Sequence, residues 1–305
     1  MSERERLLSE ATSPGKPLPP GVSERFLKAG GVSFRYLVGG PTPETQSDVP
    51  ILYLHGYPTW AEVWLPVAKS LGNRHSWIAP DLPCHHKSSA PPGKDRSISA
   101  YRRAIAAFAD AIPFPRFAVV GNSLGGALGT MLAIDRPDRV EKLVLIDAAG
   151  LTPKFPGRTA RLYIPFVIPA IFRAPGPASV RKLLQKAVFV DSRLADEGWV
   201  ATTVEEWKSK ARRKDYVATG SALRRPDASV AADLPRLRIP TLLVWGRQDP
   251  QFSWQTGEAA ARLIPGARFA AIENCGHFPM VEKPEETARL LTEFLSGTAQ
   301  REAKR

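Results

Sequence analysis

The chain has 305 residues, of which 43% are hydrophobic and 24% charged, and its formal net charge is +12. This length and composition predict a globular protein with a full hydrophobic core, and they exclude a disordered chain and a small disulfide-stapled domain. The two cysteines, Cys84 and Cys275, favour free thiols in a reducing compartment. Neither a secretory signal nor a membrane span is visible, so we expect a cytoplasmic protein.

The positive charge is concentrated in the middle of the chain. Between Lys154 and Arg225 there are 15 Lys and Arg against six Asp and Glu, which accounts for nine of the twelve net charges. A solvated helical surface explains such a segment, and so does attraction to an anionic lipid surface or an anionic substrate. No nucleic-acid-binding motif accompanies the charge, so we expect no nucleic-acid partner.

The chain begins with a polar arm and a hairpin. Residues 1–22 contain four prolines and show no sustained period, which predicts an extended arm. Two strand-like runs, 23–28 and 32–38, flank the sequence Ala29-Gly30-Gly31. This pattern predicts a β-hairpin.

From residue 51 onward, short apolar runs alternate with segments of helical period. The apolar runs predict buried strands at residues 51–54, 76–79, 117–120, 142–146, 240–246 and 268–272. The segments between them predict helices at residues 60–71, 97–112, 124–133, 254–263 and 284–296. Because these strands are apolar on both faces, we expect an α/β fold with a mostly parallel sheet and helices on both of its faces. Together with the two strands of the hairpin, the sheet has eight strands.

The alternation stops between residues 150 and 232. An apolar, proline-broken segment at 163–172 is followed by an amphipathic helix around 180–190 and a basic helix around 204–217. We interpret 150–232 as an inserted helical cap. The core is then formed by residues 23–149 and 233–296, and residues 297–305 form a polar tail.

A serine occupies a turn between a predicted strand and a predicted helix, in the segment Gly121-Asn122-Ser123-Leu124-Gly125-Gly126. The backbone of such a turn is strained, and small residues at 121 and 125 let the flanking segments pass close to each other. The hydroxyl then projects from the sheet edge, beside the free N–H groups of the helix N-terminus. We therefore interpret Ser123 as a candidate nucleophile.

A serine nucleophile needs a base, usually a neutral histidine that is oriented by a carboxylate. Among five histidines, His277 directly follows the last predicted strand, and the carboxyl ends of parallel strands share one edge with Ser123. Asp147 and Asp249 both follow strand ends and both satisfy the chain order Ser, Asp, His. We favour Asp249, whose strand immediately precedes the one that leads to His277, and keep Asp147 as the alternative.

Attack on a carbonyl group creates an oxyanion, which needs hydrogen-bond donors. The backbone N–H of Leu124, next to the nucleophile, is one predicted donor. The other is the N–H of Tyr57 in the loop His55-Gly56-Tyr57-Pro58, where Pro58 has no N–H. His55 is expected to hold this loop in place.

Four motifs taken together resemble the α/β-hydrolase superfamily. They are Gly121-Asn122-Ser123-Leu124-Gly125-Gly126, His55-Gly56-Tyr57-Pro58, Gly246-Arg247-Gln248-Asp249 and Cys275-Gly276-His277. Within the superfamily the chain is similar to small bacterial esterases, lipases and C–C bond hydrolases. The resemblance covers residues 23–296 without the cap. It implies a triad of Ser123, Asp249 and His277 with oxyanion donors at Tyr57 and Leu124, and a serine nucleophile argues against the epoxide hydrolase and haloalkane dehalogenase branches.

One stretch departs from the family pattern. Family members commonly carry D-x-x-G-x-G-x-S, whereas Asp81 to Ser88 has Cys84 and His86 at the two glycine positions. Side chains resist positive φ, so the conformation of this loop stays open. We expect no metal at Cys84, His85 and His86, because adjacent side chains rarely all point at one ion, and we predict no cofactor.

The leading functional hypothesis is hydrolysis of a carboxylic ester through an acyl-enzyme intermediate on Ser123. The apolar cap and the aromatic side chains of Trp60, Trp64 and Phe278 suggest a substrate with an apolar acyl or aryl group, although these side chains also suit a core. The alternatives are a C–C bond hydrolase of ring-cleavage diketones and a non-catalytic ligand receptor on the same scaffold. Peripheral contact between the basic cap and an anionic membrane is a further hypothesis.

Overall fold

The computed structural model describes residues 17–42, 48–153 and 176–296. The predicted apolar segment at 163–172, the predicted tail and most of the predicted N-terminal arm lie outside these residues. Where it is described, the chain forms one sheet that is flanked by helices.

The sheet has eight strands: β1 (Ser23–Ala29), β2 (Val32–Gly39), β3 (Ile51–Leu54), β4 (Trp77–Pro80), β5 (Phe117–Asn122), β6 (Val140–Ile146), β7 (Thr241–Gly246) and β8 (Arg268–Ile272). They lie in the order β1-β2-β4-β3-β5-β6-β7-β8. β1 and β2 form the predicted hairpin, and β2 pairs antiparallel with β4. All pairs from β4 to β8 are parallel. The predicted α/β fold with a mostly parallel eight-stranded sheet is confirmed.

The α-helices of the described residues are α1 (Leu65–Leu71), α2 (Ile98–Ala111), α3 (Leu124–Asp135), α4 (Pro177–Ala187), α5 (Glu197–Lys208), α6 (Lys210–Ala222), α7 (Trp254–Leu263), α8 (Pro279–Glu282) and α9 (Pro284–Leu295). Ser97 caps α2, since its Oγ accepts a hydrogen bond from the N–H of Ala100 at 3.2 Å. The helix predicted at 60–71 begins as a 3₁₀ turn at Ala61–Trp64. Pro66 has no N–H with which to extend α1 back into that turn.

Three helices, α4, α5 and α6, lie between β6 and β7 in the chain, and we call them the inserted helices. The prediction of one basic helix around 204–217 is wrong, because α5 ends at Lys208 and α6 begins at Lys210. Ser209 between them has extended backbone, and its Oγ accepts a hydrogen bond from the N–H of Arg212 at 3.3 Å. A serine that caps one helix in this way ends the helix before it. The predicted boundaries of a cap domain stay a prediction.

The inner strands of the sheet are largely buried. Every residue of β3, β4, β5 and β7 is buried, as expected for strands that are covered on both faces. The edge strands β1 and β8 are partly exposed. In the parts of the chain that the structure describes, no helix is long and apolar enough to cross a membrane.

A buried charge cluster joins β2 to the residues that follow β3 and β4. The side chain of Arg35 is 2% exposed and donates hydrogen bonds to Glu62 Oε1 at 2.6 Å and to Asp81 Oδ1 at 3.3 Å. Burial raises the pKa of Asp81 to about 6, although the Arg35 guanidinium opposes that shift. Asp81 Oδ1 also accepts a hydrogen bond from the N–H of Ala61 at 2.9 Å. The cluster therefore fixes the start of the turn before α1.

Replacing Arg35 with methionine is expected to lower the free energy of unfolding by about 3–5 kcal/mol, because Glu62 and Asp81 would stay buried without their cation. Urea denaturation followed by tryptophan fluorescence measures the loss. Arg25→Met is the matched control, since Arg25 lies on β1 with its side chain exposed. Equal losses in the two variants would contradict the role given to Arg35.

Candidate active site

The turn around Ser123 joins β5 to α3 and requires glycine on both sides. Ser123 has φ 51° and ψ −117°, and side chains rarely adopt such a positive φ. A β-carbon on Gly125 would lie 2.0 Å from the carbonyl oxygen of Leu54, and one on Gly121 would lie 2.3 Å from that of Gly125. The two glycines therefore permit the close approach of β3, β5 and α3, which places Ser123 at the carboxyl edge of the sheet.

Asn122 connects this turn to the loop of His277. Its Nδ2 donates hydrogen bonds to the carbonyl oxygens of His277 and Ile146, both at 3.1 Å. The N–H of Ser123 donates to the same carbonyl oxygen of Ile146 at 3.1 Å. One amide side chain thus links the residue before the candidate nucleophile to the main chain of the candidate base.

The ring of His277 is paired with Asp249. Its Nδ1 lies 2.8 Å from Asp249 Oδ2, and the two side chains are 1% and 0% exposed. Because a carboxylate only accepts, Nδ1 carries the hydrogen, and Nε2 of a neutral ring is left with a free lone pair. Nε2 is buried and has no hydrogen-bond partner among the described residues. The pair can therefore take up a proton at Nε2.

Asp147 lies behind this pair and does not contact His277 by a hydrogen bond of its own. Its Oδ1 accepts a hydrogen bond from the N–H of Gly246 at 3.0 Å. Carboxyl oxygens of Asp147 and Asp249 and a ring nitrogen of His277 lie within 4.8 Å of one another. Two carboxylates and an imidazole also suit a metal ion, but the hydrogen on Nδ1 leaves that nitrogen no lone pair for one. The geometry thus gives the contact with His277 to Asp249.

The loop of His55 to Pro58 passes directly beside Ser123. A β-carbon on Gly56 would lie 2.9 Å from Ser123 Cβ. His55 Nε2 accepts a hydrogen bond from the N–H of Leu82 at 2.8 Å, and burial lowers the pKa of His55 well below its ordinary value. A neutral His55 therefore holds the loop.

The N–H of Leu124 is in the first turn of α3, where N–H groups have no partner within the helix.

The loop of Cys84 and His86 adopts positive φ at both positions where the family pattern has glycine. Cys84 has φ 67° and His86 has φ 44°, although neither is glycine. His86 Nδ1 lies 2.8 Å from Glu206 Oε1 on α5, and the guanidinium of Arg212 on α6 donates to the carbonyl oxygens of His86 and Ser88. The side chain that replaces glycine at 86 thus contacts the inserted helices. Sequence reasoning missed this contact, because Glu206 and His86 are 120 residues apart.

Four buried aromatic side chains pack together next to the loop of His277. Trp199 on α5 lies 5.2 Å from Trp60, 5.4 Å from Phe189 and 5.9 Å from Phe278, between ring centroids. The ring of Phe278 is 5.5 Å from that of His277. We call these four residues, Trp60, Phe189, Trp199 and Phe278, the aromatic cluster.

Trp64 is not part of the aromatic cluster. Its ring stacks on Tyr53 of β3 at 4.8 Å between centroids, and both residues are fully buried in the hydrophobic core. Of the three side chains predicted to line a substrate pocket, Phe278 lies beside His277, Trp60 packs on Trp199, and Trp64 packs on Tyr53. All three are buried in the hydrophobic core, and their role in binding a substrate stays a prediction.

Glu282 on α8 is a buried carboxyl group that sequence reasoning missed. Its Oε1 accepts a hydrogen bond from the N–H of Gly276 at 2.9 Å, and its Oε2 accepts one from the N–H of Val190 at 2.8 Å. Val188 accepts a hydrogen bond from the N–H of His277 at 3.0 Å. Burial raises the pKa of Glu282 to about 7. The loop of His277 is thus tied to residues 188–190, which follow α4.

Known proteins share this architecture. A family model described as an alpha/beta hydrolase fold matches residues 49–284. Among curated relatives, the monoacylglycerol lipase ABHD6 of Bos taurus is 26% identical over 287 residues, which cover 91% of this chain and 83% of the relative. The monoacylglycerol lipase ABHD6 of Homo sapiens matches with the same identity and the same coverage.

Two solved structures extend the comparison. A membrane phospholipase A, described as a bacterial virulence factor, is 28% identical with a TM-score of 0.77, and the match covers 97% of this chain and 89% of that one. The 2-hydroxy-6-oxo-6-phenylhexa-2,4-dienoate hydrolase of Rhodococcus sp. strain RHA1 has a TM-score of 0.78 at 22% identity, with 90% and 99% covered. At that identity the second likeness shows the fold alone.

Replacing Glu282 with glutamine is expected to destabilise the protein, because an NH₂ group would replace one acceptor oxygen that faces backbone N–H donors. We expect a loss of about 1–3 kcal/mol in the free energy of unfolding. In the folded protein the pKa of Glu282 is raised from 4.5 to about 7. Its titration therefore contributes to the free energy of unfolding an amount that is fully present below pH 4.5 and is lost as the pH rises through about 7. Urea denaturation should therefore show a larger loss at about pH 5 than at about pH 8.

Glu293→Gln is the matched control for this substitution, because Glu293 lies exposed on the neighbouring helix α9. It should change the free energy of unfolding by less than about 1 kcal/mol. A loss in Glu282→Gln that is the same at both pH values would contradict the proposed titration of Glu282.

Proposed function

The chain belongs to the α/β-hydrolase fold family, and from this we propose that it is a serine hydrolase that cleaves carboxylic esters through an acyl-enzyme intermediate on Ser123. The observation that carries the proposal is the buried pair of His277 and Asp249 at 2.8 Å, with the Nε2 atom of His277 unpartnered among the described residues. Asn122 ties this pair to the turn of Ser123.

In the proposed reaction, Ser123 Oγ attacks the ester carbonyl carbon while its proton moves to His277 Nε2. The N–H groups of Leu124 and Tyr57 stabilise the oxyanion, and losing one such donor costs roughly 2.7–4 kcal/mol of transition-state stabilisation. Protonated His277 then gives its proton to the leaving alcohol. Water, activated by His277, attacks the acyl-enzyme in the second half, and Asp249 keeps the ring oriented throughout. The proposed chemistry uses no metal or cofactor.

The proposed substrate is a lipid ester with an apolar acyl group, such as a monoacylglycerol. The relatives at 26% and 28% identity, a monoacylglycerol lipase and a membrane phospholipase A, support this class of substrate. The aromatic cluster supports it as well, because apolar rings from α5 and from the loop of His277 lie together beside the candidate base.

A C–C bond hydrolase of ring-cleavage diketones is the second candidate, because it needs the same three side chains. Release of a carboxylate from a ring-cleavage dienoate, without hydrolysis of esters, would favour this candidate.

A non-catalytic receptor on the same scaffold would fail to react with a fluorophosphonate probe.

We also propose that the inserted helices contact anionic lipid and that the protein acts in the cytoplasm. The free cysteines Cys84 and Cys275 are compatible with a reducing compartment. The inserted helices and the residues beside them present exposed cations: Lys182, Lys186, Arg193, Lys208, Lys210, Lys214, Arg224 and Arg225. Each such cation near an anionic surface contributes about 1 kcal/mol of attraction.

Replacing Ser123 with alanine is expected to lower kcat by roughly 10⁴-fold to 10⁶-fold, because the attacking oxygen is removed. A series of p-nitrophenyl esters with increasing acyl length measures turnover and reports the preferred acyl group. Ser221→Ala is the control, since Ser221 is an exposed serine on α6. Undiminished turnover in Ser123→Ala, or its labelling by a fluorophosphonate probe, would refute the assignment.

Lipid contact predicts that the protein co-sediments with vesicles rich in phosphatidylserine and that salt weakens the association. The double variant Lys210→Glu, Lys214→Glu should bind these vesicles more weakly. The control is Lys28→Glu, Lys69→Glu, which makes the same change of charge at exposed positions outside the inserted helices. Binding that salt does not weaken, or that both double variants reduce equally, would contradict the proposed surface.

A further inference from the structure

Asp147 is a buried carboxyl group with one oxygen that lacks a donor. The residue is 0% exposed, and Oδ1 accepts the hydrogen bond from Gly246. Oδ2 is buried, and no donor among the described residues reaches it. An ionised oxygen in this position is strongly destabilising, whereas a protonated oxygen becomes a donor itself.

A carboxyl oxygen of Asp249 lies within 4.8 Å of a carboxyl oxygen of Asp147. The two oxygens of Asp249 receive hydrogen bonds from His277 Nδ1 at 2.8 Å and from the N–H of Gln251 at 2.6 Å. Donors of this kind favour the ionised form of a carboxyl group. Asp249 therefore holds the negative charge, and a second negative charge on Asp147 would lie beside it in a buried site.

The other titratable groups near Asp147 do not relieve that repulsion. His277 has Asp249, not Asp147, as its hydrogen-bond partner. The carboxyl group of Glu282 and the thiol of Cys275 supply no positive charge. Two carboxyl groups so close together in a buried site share one proton. Because both oxygens of Asp249 already accept hydrogen bonds, the shared proton belongs to Asp147.

We propose that Asp147 is a positioning residue that stays protonated in the active enzyme and donates an O–H···O hydrogen bond to Asp249. The inference rests on the proposed function, since it adds a fourth group to the series Ser123, His277 and Asp249. Burial and the charge of Asp249 support it by raising the pKa of Asp147 well above its ordinary value.

The proton on Asp147 has two effects on the base. The hydrogen bond fixes the orientation of Asp249, so that Oδ2 faces His277. It also limits the pair of carboxyl groups to one negative charge. A second negative charge would instead repel the charge of Asp249 inside the buried site.

Infrared difference spectroscopy tests the proton directly. Wild type minus Asp147→Asn, measured at about pH 8 where ordinary carboxyl groups are ionised, should contain the C=O stretching band of a protonated carboxylic acid. The band should shift in D₂O. A spectrum without this band would overturn the proposal, and because the measurement needs no turnover, it stands even if ester hydrolysis by Ser123 is refuted.

Kinetics test the positioning role. Asp147→Ala should lower kcat by about 10-fold to 100-fold with little change in KM, because Asp249 loses its donor. Asp147→Asn should recover most of that loss, since an amide can donate to Asp249 and accept from Gly246. Asp233→Asn, an acid on the loop before β7, is the activity control, and unfolding midpoints show whether each variant is folded.

Three outcomes would overturn the positioning role. One is a loss in Asp147→Asn as large as that in Asp147→Ala. Another is a large loss in Asp147→Asn beside a small loss in Asp249→Asn, which would make Asp147 the charged partner of His277. The third is activity that a chelator removes and a divalent metal restores, which would place an ion between the three side chains.

Discussion

The candidate site depends on the parallel, in-register pairing of β5, β6 and β7. Asn122 pairs with Ile146, and Ile146 pairs with Val244. The chain segments that follow these strands therefore leave the sheet side by side. Side chains alternate along a strand, so a one-residue slip in either pair would turn the following loop toward the opposite face of the sheet. The groups that meet at this edge come from four separate segments: Ser123, Asp147, Asp249 and His277.

Local pattern was sufficient for the fold and for the residues that carry short motifs. The apolar runs predicted six of the strands and the hairpin pattern predicted the other two. The alternation of apolar strands with helices predicted that the sheet is mostly parallel. Ser123 and His277 stood out because each follows a strand directly. Asp147 and Asp249 both follow strands, and the sequence favoured Asp249 only because its strand immediately precedes the one that leads to His277. The structure adds the 2.8 Å contact between Asp249 and His277. The roles of these residues in catalysis remain proposals.

What the sequence could not predict depends on contacts between distant segments. Nothing in the sequence pattern distinguishes Glu282 from other acidic residues. Its structural role comes from the hydrogen bonds that it accepts from the N–H groups of Gly276 and Val190. Positive φ looked unfavourable for His86, whose contacts with Glu206 and Arg212 join segments more than 100 residues apart in the chain. Arg35 gave no sign of burial, because the acids that pair with it lie 27 and 46 residues away.

The hydrogen bond between the N–H of Val190 and Glu282 limits how freely the inserted segment can be exchanged between related proteins. The hydrogen bonds of residues 188–190 run to the loop that carries His277, not only to neighbours within the insertion. A chimera that grafts the inserted segment of a relative onto this core would thus replace part of the support of its candidate base. A chimera that takes its sequence from a relative after α4 should therefore begin the foreign sequence beyond residue 190. Residues 188–190 then stay in the same chain as Glu282, to which they bind.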